Sequence, residues 1–345
     1  MLKKIEQGRL CELVAALLER GELYAPVRDD RGVNFQSIGE STEVTLDFYN
    51  TLLSPKSVFF PQSEDMIAYR LGKREPTALA LPLPATPTVL LGVRPVDAKS
   101  FLLMDELFLG GGIPDPYWQA RREQTTVIGY AFDPGAADPA DFYSTLGIGS
   151  ADTRGSDILL AKGGDDYLLQ GITAKGEALL SALTVLAETS PGEETQFAAL
   201  LAPEASSKTR HLALDPGKVA KRLEDLFADS AFWEGISAAC ISCGTCTFVC
   251  PTCHCFDIAD ETLFREGVRR RFWDACMFTD FTLEASGHNP RKAVYQRLRQ
   301  KVCHKYSYYV RKLGVISCVG CGRCTRSCPV NIDIFSIIAQ AMNRN

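Results

Sequence analysis

Two cysteine runs constrain the fold of this chain more than any other feature of its sequence. Each has the spacing Cys-x2-Cys-x2-Cys-x3-Cys-Pro; the first begins at Cys240 and the second at Cys318. Three cysteines at i, i+3 and i+6 wrap a tight turn around one corner of a cubic cluster, and the proline ends that turn. Because this spacing is typical of [4Fe–4S] ligands, we predict two such clusters and a role in moving electrons.

The fourth cysteine of each run points away from the corner that the first three hold. In two-cluster ferredoxins this cysteine ligates the opposite cluster. The two-run pattern therefore implies one ligand set of Cys240, Cys243, Cys246 and Cys328, and another of Cys318, Cys321, Cys324 and Cys250. Zinc is the alternative metal, but zinc sites use two Cys-x2-Cys pairs rather than three evenly spaced cysteines followed by Cys-Pro.

The cysteines are concentrated at one end of the chain. Of thirteen cysteines in 345 residues, twelve follow residue 239. Polar residues interrupt the apolar positions of the N-terminus, so we expect no signal peptide, and no stretch approaches the length of a membrane span. Cysteines in an unexported chain favour metal ligation in a reducing compartment over disulfides. We therefore expect a cytoplasmic protein of an anaerobe or facultative anaerobe.

Charge is divided unevenly along the chain. Residues 240–345 hold 15 Lys and Arg against 8 Asp and Glu, whereas the net charge of the whole chain is −5. Positive surroundings suit anionic all-cysteine clusters. Nucleic-acid binding by the basic segments 269–271 and 291–312 is the alternative, but no nucleic-acid motif accompanies them.

The apolar patterns predict an α/β N-terminal domain followed by a mostly α-helical two-cluster [4Fe–4S] ferredoxin-like domain with a long insertion between the runs. The predicted helices cover about 5–18, 97–108 and 175–186, then a segment beginning at Asp215-Pro216 and a closing helix around 332–341. Buried strands are predicted at 88–93 and 125–131, and a hairpin around Gly163-Gly164. The predicted limits are an α/β docking domain at 1–190, a linker and amphipathic helix at 191–232, and the dicluster domain at 233–345.

Besides Cys303, three further cysteines, Cys253, Cys255 and Cys276, lie in the insertion between the runs. They could complete another metal site, line a cluster pocket or act as redox-active thiols. We favour pocket lining, because the eight paired cysteines already satisfy two clusters. Cys11 lies on the first predicted helix and is expected in the core. No dinucleotide fingerprint follows a predicted strand, so we expect neither flavin nor nicotinamide on this chain.

Several segments together resemble the iron–sulfur beta subunit of cytoplasmic sulfhydrogenases and the related iron–sulfur subunit of anaerobic sulfite reductase. The specific part lies in residues 240–256, 269–276, 286–291 and 306–324, and the front half adds 21–26, 91–97, 103–107 and 115–122. The resemblance implies an electron-transfer role within a complex. The partners would be a flavoprotein subunit that handles NAD(P)H and a catalytic subunit such as a nickel–iron hydrogenase or a sirohaem reductase. We predict no catalytic residue, no nucleic-acid partner and no membrane insertion for this chain.

The chain departs from this family in its front domain. Family members often carry further cysteines there that can hold an additional cluster, whereas this chain has Val96, Phe132 and the segment Asp141-Phe142-Tyr143. We therefore predict that the front-domain cluster is absent. Two other functions stay open: a self-contained thiol or sulfur reductase that uses Cys253, Cys255 or Cys276, and a redox sensor with zinc or a single labile cluster.

Overall fold

A computed structural model describes residues 1–40, 42–72, 76–202 and 209–344. The strands are β1 Leu2–Glu6, β2 Glu22–Asp29, β3 Gly32–Ser37, β4 Ser63–Leu71, β5 Pro76–Ala80, β6 Thr88–Val93, β7 Thr125–Tyr130, β8 Ile158–Gly163, β9 Asp166–Gly171, β10 Ala187–Glu188, β11 Phe256–Leu263 and β12 Glu266–Trp273. The α-helices are α1 Leu10–Leu18, α2 Pro95–Phe108, α3 Pro116–Gln124, α4 Ala174–Ala182, α5 Pro191–Leu200, α6 Pro216–Asp225, α7 Ser230–Ser237, α8 Thr245–Phe248, α9 Val294–Cys303, α10 Tyr309–Leu313, α11 Arg323–Arg326 and α12 Ile334–Asn343.

The chain divides into two compact units, and neither is one continuous segment. The first unit comprises Met1–Pro55, Ala85–Ala213 and Val319–Gly322, and the second comprises Lys56–Pro84, Leu214–Cys318 and Arg323–Asn345. The predicted domain limits at 190 and 232 stay predictions, because a unit that is compact in its internal contacts need not be a domain that folds independently.

The first unit is built on an eight-stranded mixed sheet with the order β10-β1-β9-β8-β7-β6-β2-β3. Strands β2, β6, β7 and β8 are parallel, and the remaining pairs are antiparallel. The central strands are buried on both faces: Ile158 and Leu160 pack in one core, and Leu159 packs with Phe197 of α5 in another. Burial of both faces explains why these strands are continuous apolar runs. The predicted α/β fold of the N-terminal region is confirmed.

Several local predictions need correction. The N-terminal segment is a strand, β1, before the helix α1, rather than one helix. Helix α2 begins at Pro95, so Asp97 lies in its first turn and is not its cap. The region 189–216, which shows no periodicity, contains α5, whose N-terminus is a capping box of Ser190 and Glu193. Its residues 203–208 lie outside the described part of the chain.

The second unit combines α6 to α12 with a four-stranded antiparallel sheet of order β11-β12-β4-β5. The hairpin β11–β12 lies in the insertion between the cysteine runs. The prediction of a mostly helical region is not confirmed, because β4 pairs with β12 of this insertion and β5 pairs with β4. Helix α6 begins at Pro216, as predicted, and Asp215 caps it by accepting from the backbone N–H of Lys218.

All three arginines of the run 269–271 form ion pairs within the antiparallel sheet. Arg269 pairs with Asp260, and Arg270 pairs with Asp65 and Glu261. Arg271 forms a buried ion pair with Glu64. These ion pairs account for the basic run without a nucleic-acid partner. Among the described residues, no helix is long and apolar enough to cross a bilayer.

Candidate iron–sulfur site

The first cysteine run forms a tight turn that leads from α7 into α8. Ser242 has φ 58° and Gly244 has φ 75°, so both adopt the left-handed conformation. A Cβ atom at position 244 would lie 2.6 Å from Cε1 of Phe278. A residue without a side chain is therefore required at the point where the turn enters the helix.

A hollow beside this turn, which we call the cysteine pocket, is lined by cysteines from both runs. Cys240, Cys243 and Cys246 come from the first run, and Cys328 comes from the second. The structure thus brings together the four residues of the first predicted ligand set. Cys324, expected in the other set, also lines the pocket. The cavity volume of the pocket is about 40 Å³, and its remaining walls include Ile241, Met277, Leu298, Lys301, Val330, Ile332 and Ile334.

The donor chemistry of the cysteine pocket fits an iron–sulfur cluster. Its converging side chains are thiols, and all thirteen cysteines lie in the described ranges without forming a disulfide. The backbone N–H of Ile332 donates to Sγ of Cys328 over 3.2 Å. Sγ of Cys243 lies 3.3 Å from Oγ1 of Thr245. Hydrogen bonds to ligand sulfurs are one of the interactions that set a cluster's reduction potential.

Three cysteines of the second predicted ligand set affect the pKa of the buried Tyr306 phenol. Burial raises the pKa of Tyr306 well above its ordinary value, and the thiol of Cys318 raises this pKa further; Cys324 and Cys250 act in the same direction. The fourth residue, Cys321, belongs to the short segment Val319–Gly322 that is part of the first unit.

Three buried lysines lie among the cysteines of the second unit. The exposed fractions of Lys56, Lys301 and Lys305 are 2%, 5% and 6%. Nζ of Lys56 donates to the carbonyl oxygens of Cys250 and Cys253, each over 2.9 Å. Nζ of Lys301 donates to the carbonyl oxygen of Cys246 over 2.9 Å, and Nζ of Lys305 donates to the hydroxyl of Thr252 over 2.7 Å.

The electrostatics of these lysines differ. Burial lowers the pKa of Lys56 to about 8. Burial opposes the charge of Lys301 and Lys305 as well, but the neighbouring cysteine thiols outweigh it and hold both pKa values above the ordinary range. No sequence motif predicted any of these three lysines. The four-residue spacing of Lys301 and Lys305 on one helical face was the only signal, and nothing local pointed to Lys56.

The three further cysteines lie outside the lining of the cysteine pocket. Cys253 and Cys276 are buried, and Cys255 is half-buried. Interaction between the thiols of Cys255 and Cys276 lowers the pKa of Cys276 to about 6 and raises that of Cys255. Within the described ranges, no group of three or more His, Cys, Asp or Glu side chains is arranged to hold a single metal ion. Cys303 is buried, and burial raises its pKa to about 12.

Phe132 and Tyr143, two of the front-domain positions where this chain departs from the family, pack together. The rings of Phe132 and Tyr143 meet edge to face, with centroids 5.3 Å apart. Val96 is buried near the start of α2. Cys11 is exposed, so its expected place in the core was wrong.

Comparison with known proteins agrees with this donor set. The 4Fe-4S dicluster domain family matches residues 239–332, which contain both groups of cysteines. The chain is therefore an iron–sulfur protein. It is 30% identical over 337 residues to sulfhydrogenase 2 subunit beta of Pyrococcus furiosus, and the match covers 97% of this chain and 96% of that relative. The chain belongs to the family of sulfhydrogenase beta subunits, the family that its sequence resembled. No solved structure matches the chain.

Proposed function

We propose that this protein relays electrons through two [4Fe–4S] clusters inside a multi-subunit oxidoreductase. One partner is a flavoprotein subunit that handles NAD(P)H, and the other is a catalytic subunit of the hydrogenase or sulfite-reductase type. The first cluster uses Cys240, Cys243, Cys246 and Cys328, and the second uses Cys318, Cys321, Cys324 and Cys250. This chain supplies no catalytic residue of its own. Its residues bind the clusters and determine the electrostatic field around them.

The cysteine pocket carries this proposal. Cys328 lies 78 residues beyond Cys250, the last cysteine of the first run, yet it lines the same hollow as Cys240, Cys243 and Cys246. A fourth thiol contributed by the other run is the arrangement found in two-cluster ferredoxins. Bound clusters supply one-electron steps, and the buried lysines supply positive charge near anionic ligands.

Replacing Cys328 by Ala tests the crossed ligand set. We expect the purified protein to lose roughly four of about eight irons, because each [4Fe–4S] cluster contains four. The measurement is iron and acid-labile sulfide per chain under anaerobic conditions, with electron paramagnetic resonance of the reduced protein. Cys11→Ser, at an exposed cysteine outside both sets, is the matched control and should retain all irons. Full iron content in Cys328→Ala with unchanged spectra would contradict the proposed set.

A further inference from the structure

The first unit contains a large cavity, which we call the front pocket. It lies where Arg94 follows β6, where Ala131 and Phe132 follow β7, and beside Lys162 near the end of β8. These three strands are parallel, so the front pocket lies at their carboxyl ends, the edge where open α/β sheets bind ligands. Its volume of about 690 Å³ is within the range of small-molecule sites.

Arg94 places a buried positive charge in the wall of the front pocket. Only 3% of this residue is exposed. Its Nη1 donates to the carbonyl oxygens of Tyr130 and Ala131, over 3.3 and 3.1 Å. In the part of the chain that the structure describes, its buried Nε has no hydrogen-bond partner and its guanidinium forms no direct ion pair. Burial lowers the pKa of Arg94 to about 10, and the nearby Tyr130, Tyr49 and Asp97 oppose this effect only in part. A buried cation that is only partly compensated is stabilised further by an anion in contact with it.

Aromatic rings form the walls around this cation. The guanidinium carbon of Arg94 lies 4.1 Å from the ring centre of Phe48 and 4.4 Å from that of Tyr130. Tyr49 and Phe132 also line the pocket, and their rings meet edge to face at 5.5 Å. Most of the other lining residues are small, with alanines at 131, 136, 151, 161, 199 and 202. Aromatic walls with small residues between them leave space for a flat ring.

We propose that the front pocket binds a planar conjugated ring compound that carries a carboxylate or phosphate group. The ring lies among the aromatic side chains, and its acidic group compensates the charge of Arg94. Lys162 adds a second, exposed positive charge at the mouth, where the exposed carboxylates of Asp47 and Asp133 also lie. A mononucleotide and a simple aromatic acid share this chemistry, and neither needs a dinucleotide fingerprint in the sequence.

The front pocket is connected to the segment that carries Cys321. Phe132 in its wall contacts Tyr143. The backbone N–H of Phe142 donates to the carbonyl oxygen of Gly320 over 2.9 Å. Resting on the proposed function, this connection favours a ring that accepts electrons, and flavin mononucleotide (FMN) combines such a ring with a phosphate. FMN is therefore the first probe.

The test is equilibrium binding to the purified full-length, cluster-loaded protein, measured by calorimetry. The probes are FMN, riboflavin, 2-naphthoate and inorganic phosphate. We expect FMN or 2-naphthoate to bind, riboflavin to bind at least about 10-fold more weakly than FMN because it lacks the anion, and phosphate alone to show no binding. Binding of FMN identifies a nucleotide ligand, and binding of 2-naphthoate without FMN identifies a simple aromatic acid.

Two variants locate the site. Arg94→Met should weaken binding of the anionic ring by about 10-fold or more. Because Arg94 also supports Tyr130, this variant could fail to fold, so Ala199→Trp provides an independent test: position 199 is exposed on α5, and the indole would fill the pocket. Arg20→Met, at an exposed arginine away from the pocket, should bind like the unmodified protein.

Three results would overturn the proposal. In the first, neither ring anion binds at about 1 mM, a concentration that reveals even weak sites. In the second, FMN and riboflavin bind equally well. In the third, Ala199→Trp binds the ring anion as the unmodified protein does. The assay involves no electron transfer, so a failure here is separate from a failure of the relay, which the iron content of Cys328→Ala tests.

Discussion

At the scale of single residues, the buried lysines are the part of the site that no sequence motif predicts. Lys301 lines the cysteine pocket and donates to the carbonyl oxygen of Cys246, and its Nζ lies 3.7 Å from Sγ of Cys253. Its charge therefore acts at short range on any cluster that the pocket holds. A positive charge stabilises the reduced, more negative form of a cluster and so raises its potential.

Replacing Lys301 by Met tests this effect while it keeps the length of the side chain. A unit charge about 8 Å from the cluster, at an effective dielectric constant near 20, contributes roughly 2 kcal/mol. We expect the potential of the first cluster to fall by about 90 mV, since 59 mV corresponds to a tenfold change for one electron. The measurement is a redox titration followed by electron paramagnetic resonance.

Two controls separate charge from packing. Lys301→Arg keeps the charge and should restore most of the potential. Lys312→Met removes an exposed charge on α10 and should change the potential little, because solvent screens it. A potential that stays the same or rises in Lys301→Met would show that this lysine does not tune the cluster.

At the scale of elements, the turn between α7 and α8 depends on one backbone conformation. We expect Gly244→Ala to lower the free energy of unfolding by about 2 kcal/mol or more, because a left-handed alanine is strained and its Cβ would clash with Phe278. Gly235→Ala in α7 is the matched control: nothing lies within 4 Å of its Cβ position, so this change should stabilise the helix by about 0.5–1 kcal/mol.

Chemical denaturation of both variants, with iron counted in each, measures these effects. Gly244→Ala should also lose iron from the first cluster, because the turn positions Cys243 and Cys246 on either side of residue 244. Equal stability and equal iron content in the two variants would mean that the turn tolerates a side chain and does not control the site.

At the scale of the whole molecule, the relay predicts that the native protein is part of a complex. Anaerobic purification from its source should recover a flavoprotein and a hydrogenase-like or sulfite-reductase-like subunit, identified by mass spectrometry, with about eight irons on this chain. About twelve irons would contradict the predicted absence of a front-domain cluster. A chain without partners that reduces a thiol or sulfur substrate would instead favour the self-contained reductase, in which the interacting thiols of Cys255 and Cys276 are the first candidates.

The sequence by itself determined the elements whose signals are local. The cysteine spacing predicted iron–sulfur chemistry, which the family match supports. The strands β6 and β7, predicted from apolar runs, and the hairpin of β8 and β9 were confirmed. These predictions succeeded because periodicity and turn residues are properties of neighbouring positions. Only the tertiary structure decided the pairing of β4 with the insertion, the burial of Lys56 among the cysteines and the aromatic front pocket around Arg94. These features join residues far apart in the chain, and long-range packing leaves no periodic trace in the segments that it joins.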